Sequence, residues 1–207
     1  MKLEWKKAEK QLYLPGNEPA AITVPKMKYF SISGKGNPNS EAFQEKIGVL
    51  YALAYAVRMM PKSGVTPEGF QEYTVYPLEG IWDLSEKGRQ SDVLDKDQLV
   101  YKIMIRQPDF VTAEIAAAAM EKARKKVPPD LLDQAAFEEM EDGFCVQMMH
   151  IGPFDSEPAS FAKMDRYLTE NGLARTSKIH KEIYLSDFRK TKPEALKTVL
   201  RYFVKQG

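Results

Sequence analysis

Gly36-Asn37-Pro38-Asn39-Ser40-Glu41 and Gly152-Pro153-Phe154-Asp155-Ser156-Glu157 share one form, Gly, three residues, then Ser-Glu, far apart in the chain. Each copy follows a strand-like run and precedes a helix-like run. A strand–turn–helix unit that occurs twice points to a duplicated segment, and paired halves commonly leave a groove between them. The functional residues are sought in that groove.

Working outward from the first copy, Tyr29-Phe30-Ser31-Ile32-Ser33 has strand composition, and Gly34, Gly36 and Pro38 break it. Ser40 is the expected N-cap of a helix. Phe43, Ile47, Leu50, Tyr51, Ala54 and Val57 recur at helical spacing until Pro61 and Gly64. Strands are predicted at 73–76 and 80–84, an exposed charged loop at 85–97, and a strand at 99–106. In that last strand the alternation at Tyr101, Ile103 and Ile105 is interrupted by Met104. An alanine-rich helix follows over Thr112 to Lys126, with a short connecting helix at 131–139.

Around the second copy, Phe144-Cys145-Val146-Gln147-Met148-Met149-His150 precedes the turn. A helix from about Ser156 to Glu170 follows it, then strands at 179–186 and 198–205. Residues 10–25, with Pro15, Gly16, Pro19 and Pro25, read as an irregular arm. The expectation is a single α+β domain. It divides into an arm (1–25), a first repeat (26–107), connecting helices (108–142) and a second repeat (143–207). The two repeats are pseudo-symmetric strand–helix–strand–strand units forming a sheet with helices on one face and a central groove.

Composition narrows the function. In 207 residues, 43% are hydrophobic and 29% charged, as in ordinary globular proteins, and the net charge is +1. No electrostatic pull on nucleic acid or anionic membrane is expected from that balance. No run approaches the roughly 18 apolar residues of a membrane span, and Met1 to Lys7 has no secretory apolar stretch. A cytoplasmic protein is expected. One cysteine, Cys145, and two histidines, His150 and His180, argue against a disulfide or a structural zinc site. No cofactor or metal is expected. Ten Tyr, ten Phe and two Trp suit either a core built from large side chains or a pocket for a flat, apolar ligand.

The run Lys178-Ile179-His180-Lys181-Glu182-Ile183-Tyr184-Leu185-Ser186-Asp187 carries the most chemistry. Strand alternation puts His180, Glu182, Tyr184 and Ser186 on one side, and Ile179, Ile183 and Leu185 on the other with Lys181 among them. If helices cover the isoleucine side, Glu182 looks toward the other half, where low dielectric would give a carboxylate leverage as a charge partner or base. The alternative is a solvated sheet face. Aligning Ile81-Trp82 with Ile183-Tyr184 places Gly80 opposite Glu182, with two aromatics to clamp a flat ligand and Gly80 leaving it room. Tyr51 and Tyr55 share a face of the first helix.

These residues resemble a known family. Leu12-Tyr13-Leu14-Pro15, Ile22-Thr23-Val24-Pro25, Gly34-Lys35-Gly36-Asn37-Pro38, Tyr55-Ala56-Val57-Arg58-Met59 and Glu182-Ile183-Tyr184-Leu185-Ser186-Asp187, in this order, are similar to stand-alone GyrI-like proteins over essentially the whole chain. The resemblance implies two repeats of the SHS2 type around a small-molecule groove. In multidrug-responsive regulators of this kind a strand glutamate meets cationic aromatic drugs, and Glu182 stands where it is expected. One branch is thought to hydrolyse cyclopropanoid, DNA-alkylating natural products. On that footing Glu182 is the candidate base and Tyr55 the candidate donor to the conjugated carbonyl. Trp82 and Tyr184 are the walls, and Tyr51, His180, Met148 and His150 complete the ligand-binding set. The first 25 residues are too few and too proline-rich for a helix-turn-helix, so direct nucleic-acid binding is not expected. A binder that only sequesters xenobiotics, and a protein-interaction module of gyrase-inhibitor type, are the competing readings.

Overall fold

The computed structural model describes residues 2–207. Its strands are β1 (Ala20–Lys35), β2 (Leu78–Leu84), β3 (Leu99–Gln107), β4 (Ala135–Ile151), β5 (Leu173–Tyr184) and β6 (Lys197–Gln206). Its α-helices are α1 (Trp5–Ala8), α2 (Lys10–Tyr13), α3 (Glu41–Arg58), α4 (Glu86–Arg89), α5 (Ala113–Ala123), α6 (Pro129–Leu132) and α7 (Glu157–Glu170). The fold is α+β, and the chain forms two compact units. One holds residues 1–4, 27–78 and 83–140; the other holds 5–26, 79–82 and 141–207.

In the first unit β1 and β3 pair antiparallel, with Phe30 opposite Ile105 and Ile32 opposite Ile103. The interruption at Met104 has a structural reason. Tyr101, Ile103, Met104 and Ile105 are all buried, so the end of β3 is covered on both faces and alternation disappears. Helix α3 begins where expected, the Ser40 hydroxyl accepting from the Phe43 backbone N–H. It buries Phe43, Ile47, Leu50, Leu53, Ala54 and Val57, a helical stripe. Gly36 enters the turn at φ 105°, open to glycine at little cost.

Several expectations are corrected. Residues 131–139 are not one helix: α6 ends at Leu132 and β4 starts at Ala135. Residues 73–76 form no strand; Tyr73 makes a single parallel bridge to Leu3. The arm is partly regular, with α1, α2 and the start of β1 inside it. Pro25 sits within β1.

In the second unit the strand order is β2–β5–β6–β4, with Glu182 opposite Leu200 and Met148 opposite Leu200 from the other side. Val146, Met148, Leu200, Tyr202 and Val204 share one face of this sheet and pack against Met164 and Leu168 of α7. Helix α7 therefore lies on the side of the sheet that carries Glu182, not on the isoleucine side. The reason is what fills the other side. Lys181, Arg201 and Gln147 point there, and backbone oxygens of the arm close over them. Arg201 Nη2 donates to Leu12 O at 2.9 Å and Gln147 Nε2 to Gln11 O at 2.7 Å.

Candidate functional site

The second Gly-x-x-x-Ser-Glu turn builds one edge of the site. His150 lies one residue before the end of β4, and its Nε2 lies 3.1 Å from Pro153 O and 3.2 Å from Ser156 Oγ. A carbonyl oxygen only accepts, so Nε2 carries a proton there. Nδ1 meets Ser160 Oγ at 2.9 Å on the first turn of α7. Gly152 has φ 136°, and a Cβ on it would lie 3.0 Å from Ser156 Oγ. His150 thus locks the turn that sets Glu157 at the start of α7.

Glu157 is the residue the sequence reading passed over, although it stands in the doubled motif. It is 7% exposed, and its Oε1 has no hydrogen-bond partner among the described residues. Burial, then the neighbouring charges of Glu182 and Asp155, push its carboxyl up to about 9. Burial and the charge of Glu182 thus favour the neutral form of this carboxyl.

Glu182 is 9% exposed on β5. Its Oε1 is 3.0 Å from His180 Nε2. Tyr184 hydrogen-bonds to Glu182 and accepts from Trp82 Nε1–H at 2.7 Å. Burial first, and then the charges of Glu182 and Glu157, hold the Tyr184 hydroxyl well above the usual phenol range, so it remains a donor. Aromatic rings enclose the group. Phe154 meets Tyr184 edge-on at 6.0 Å, Phe161 meets His180 at 5.0 Å, and Phe161 stacks on Tyr202 at 5.5 Å.

The structure therefore brings together Trp82, His180, Glu182 and Tyr184, with Met148 on the same sheet face and His150 organising the turn. Gly80 does not serve as expected. A Cβ there would lie 2.8 Å from Trp82 Nε1 and 3.2 Å from Tyr184 Oη. The space it leaves is taken by the indole–phenol hydrogen bond rather than kept for a ligand. Gly80→Ala is expected to push the indole off Tyr184, shift the tryptophan fluorescence and cost about 1–3 kcal/mol of stability in chemical denaturation.

Tyr51 and Tyr55 belong to the other unit. Tyr55 is 46% exposed, 6.5 Å from the Tyr51 ring, with Arg58 over it at 5.9 Å. It lines a surface hollow of about 320 Å³ with Met59, Lys62, Lys122 and Lys126. Cys145 is buried, its thiol pushed up to about 12 by burial and by Asp142, and has no nucleophilic character at neutral pH. Among the described residues no group of three or more His, Cys, Asp or Glu side chains could hold a metal ion. No described helix is long and apolar enough to cross a membrane.

The raised pKa of Glu157 makes a stability prediction. An unfolded glutamate ionises near pH 4.3, whereas the folded one keeps its proton to about 9. The folded state binds the extra proton over that window, so its stability falls as pH rises through it. Glu157→Gln removes this penalty, a gain of about 4 kcal/mol at pH 7 at about 1.4 kcal/mol per pH unit. Thermal melts should show the variant more stable than wild type at pH 8 and the difference closing at pH 4. Equal melting temperatures at both pH values would refute the buried-acid assignment.

Comparison with known proteins agrees with the architecture. The family model for the GyrI-like small molecule binding domain matches residues 17–204. A Listeria innocua protein described as a hydrolase is 38% identical, with a TM-score of 0.88, over 98% of this chain and 100% of its own. An uncharacterized conserved protein from Listeria innocua is 39% identical, TM-score 0.90, over 98% of this chain and 100% of its own. The EcmrR C-terminal domain shares the fold at 12% identity and TM-score 0.54, over 92% of this chain and 98% of its own. No curated protein sequence matches.

Proposed function

The chain belongs to the GyrI-like small molecule binding domain family, and on that premise we propose that it is a hydrolase of reactive, ring-strained aromatic xenobiotics of the cyclopropanoid class. The observation that carries the reading is Glu182, buried and held by His180 and Tyr184, whose charge, with burial, favours the neutral form of Glu157. Repulsion between two like groups in a buried place is relieved by leaving one of them neutral. The pair then presents one base. Glu182 accepts a proton from water, and the water oxygen attacks the ring carbon. The electrons of the breaking ring bond pass into the conjugated carbonyl of the substrate. Trp82, Tyr184 and Phe154 supply flat apolar surface, and the hydrogen bonds from His180 and Tyr184 fix the direction of the carboxylate.

The description of the Listeria innocua relatives as hydrolases supports this reading. The doubled turn and the strand–helix–strand–strand succession support a descent from two SHS2-type repeats. Tyr55 lies exposed on α3 of the other unit. A second reading, binding without turnover, draws on the same residues, since a carboxylate among aromatic rings also attracts an organic cation. Mass spectrometry of a cyclopropanoid compound incubated with the protein separates the two. A gain of one water is expected; saturable binding with unchanged mass would leave a sequestering protein.

A further inference from the structure

Helix α3 carries Ala52, Tyr55, Ala56 and Met59 at intervals of three and four residues, so the four share one face. The end of α5 brings Lys122 and Ala123 beside that face, with Lys126 just beyond, and the turn after α3 adds Lys62 and Ser63. Alanines on both helices leave the space between them unfilled, and Tyr55 turns outward instead of closing it. What remains is the hollow of about 320 Å³, which lies wholly within the first unit. Its size is that of an ordinary small-ligand pocket.

The charge of the hollow is one-sided. Three ammonium groups line it, and no carboxylate does. Among the described residues no ion pair neutralises Lys62, Lys122 or Lys126. The nearby carboxylates of Glu121 and Asp133 pair with Arg124 instead. A single cation at the end of a helix is ordinary. Here cations from two separate segments meet over an apolar floor, in a chain whose net charge is only +1. One of them is already set in place. Lys122 Nζ donates to Ser63 Oγ at 2.9 Å, and that hydroxyl donates to Met60 O at 2.8 Å. Lys62 and Lys126 are exposed and can close on a ligand from flexible stems. At the rim the Arg58 guanidinium lies 5.9 Å from the centre of the Tyr55 ring and adds a further positive charge.

We infer that this hollow binds a small aromatic anion, a flat ring bearing a carboxylate, sulfate or phosphate. The ring lies on the alanine floor against Tyr55, and the acid group meets the three lysines. Three lysines fall well short of the phosphate contacts that hold a nucleic acid. Such a ligand carries the charge opposite to the one Glu182 would attract. The inference therefore stands apart from the chemistry proposed at Glu182.

Calorimetric titration with 2-naphthoate tests it, beside 2-naphthalenemethanol as a neutral probe and inorganic phosphate as an anion without a ring. Saturable one-to-one binding of naphthoate is expected, weakening as salt is raised, with the other two probes binding about tenfold more weakly or worse. Lys62→Gln combined with Lys126→Gln should weaken naphthoate about tenfold, and Tyr55→Ala about fivefold. Glu182→Gln should leave that affinity unchanged. The lysine variant should melt with wild type, since both side chains are exposed, so its loss of binding is not a loss of fold. Absence of saturable naphthoate binding overturns the inference, as does binding that survives in the lysine variant or vanishes in Glu182→Gln. Phosphate bound as tightly as naphthoate overturns the aromatic part. A single-stranded oligonucleotide held by the same lysines, with no binding of naphthoate, overturns the whole and marks a nucleic-acid contact.

Discussion

Glu182→Gln is expected to lower turnover of a strained-ring substrate by about 10²–10⁴-fold, the range that a positioned general base contributes. The amide keeps the size of the side chain and can still accept from Tyr184 and His180, but it cannot take a proton from water at neutral pH. Binding of a neutral aromatic ligand should stay within about tenfold, or roughly 1.4 kcal/mol, because the ring contacts are untouched. A fall in kcat/KM that lies almost wholly in kcat is the signature of an interaction made in the transition state. The competing role gives the opposite pattern. If Glu182 only pairs with ligand cations, the glutamine variant should bind cationic ligands more weakly, bind neutral ones unchanged and leave slow hydrolysis unaltered. Single-turnover rates together with calorimetric titration of one neutral and one cationic aromatic compound decide between them.

The site residues divide by how much of their setting is written in local sequence. Strand alternation puts His180, Glu182 and Tyr184 on one face, and the structure joins them in one hydrogen-bonded group. Matching Trp82 with Tyr184 through the doubled pattern brings together two residues that touch. Alternation cannot say which face a helix will cover. The isoleucine side of β5 is the more apolar by count, yet Lys181 on that side is fully buried by its ion pairs. Pairing partners from distant strands reverse what hydropathy alone implies. Glu157 was legible as a motif residue but not as a buried group that feels the charge of Glu182. At the start of a helix a glutamate is ordinarily a solvated group favoured by the helix dipole, and only the tertiary fold buries it. For the same reason 135–139 read as helical: nothing within the segment signals that β4 begins before Gly143.

Asp142→Asn is expected to cost about 3–5 kcal/mol, the penalty for breaking one partner out of a buried ion cluster. Asp142 lies at the centre of it. Its Oδ1 is 2.7 Å from Lys181 Nζ, and its Oδ2 is 2.7 Å from Arg201 Nη1. Glu79 Oε2 stands 3.3 Å from Lys181 Nζ. Two cations face two carboxylates, and the side chains are 0–4% exposed. Asparagine keeps the shape but removes one negative charge, leaving a buried cation uncompensated. An exposed pair gives the contrast: Asp187 with Arg189, 62% exposed, should lose less than about 1 kcal/mol on Asp187→Asn. The pH dependence provides a second check. Burial pushes the Asp142 carboxyl up, but Lys181 and Arg201 outweigh it and hold the group below the usual aspartate range. Its contribution is complete above the unfolded value of about 3.9 and is lost as pH falls from there through the folded one. Urea unfolding of wild type and variant should therefore differ fully at pH 6 and converge at strongly acid pH. The cluster also bears on the site, because Lys181 precedes Glu182 on β5. An anchor lost from one face of that strand loosens the other, so the variant should show weakened ligand binding at temperatures well below its melting point. A variant as stable as wild type at pH 6 would mean that Glu79 alone neutralises the two cations.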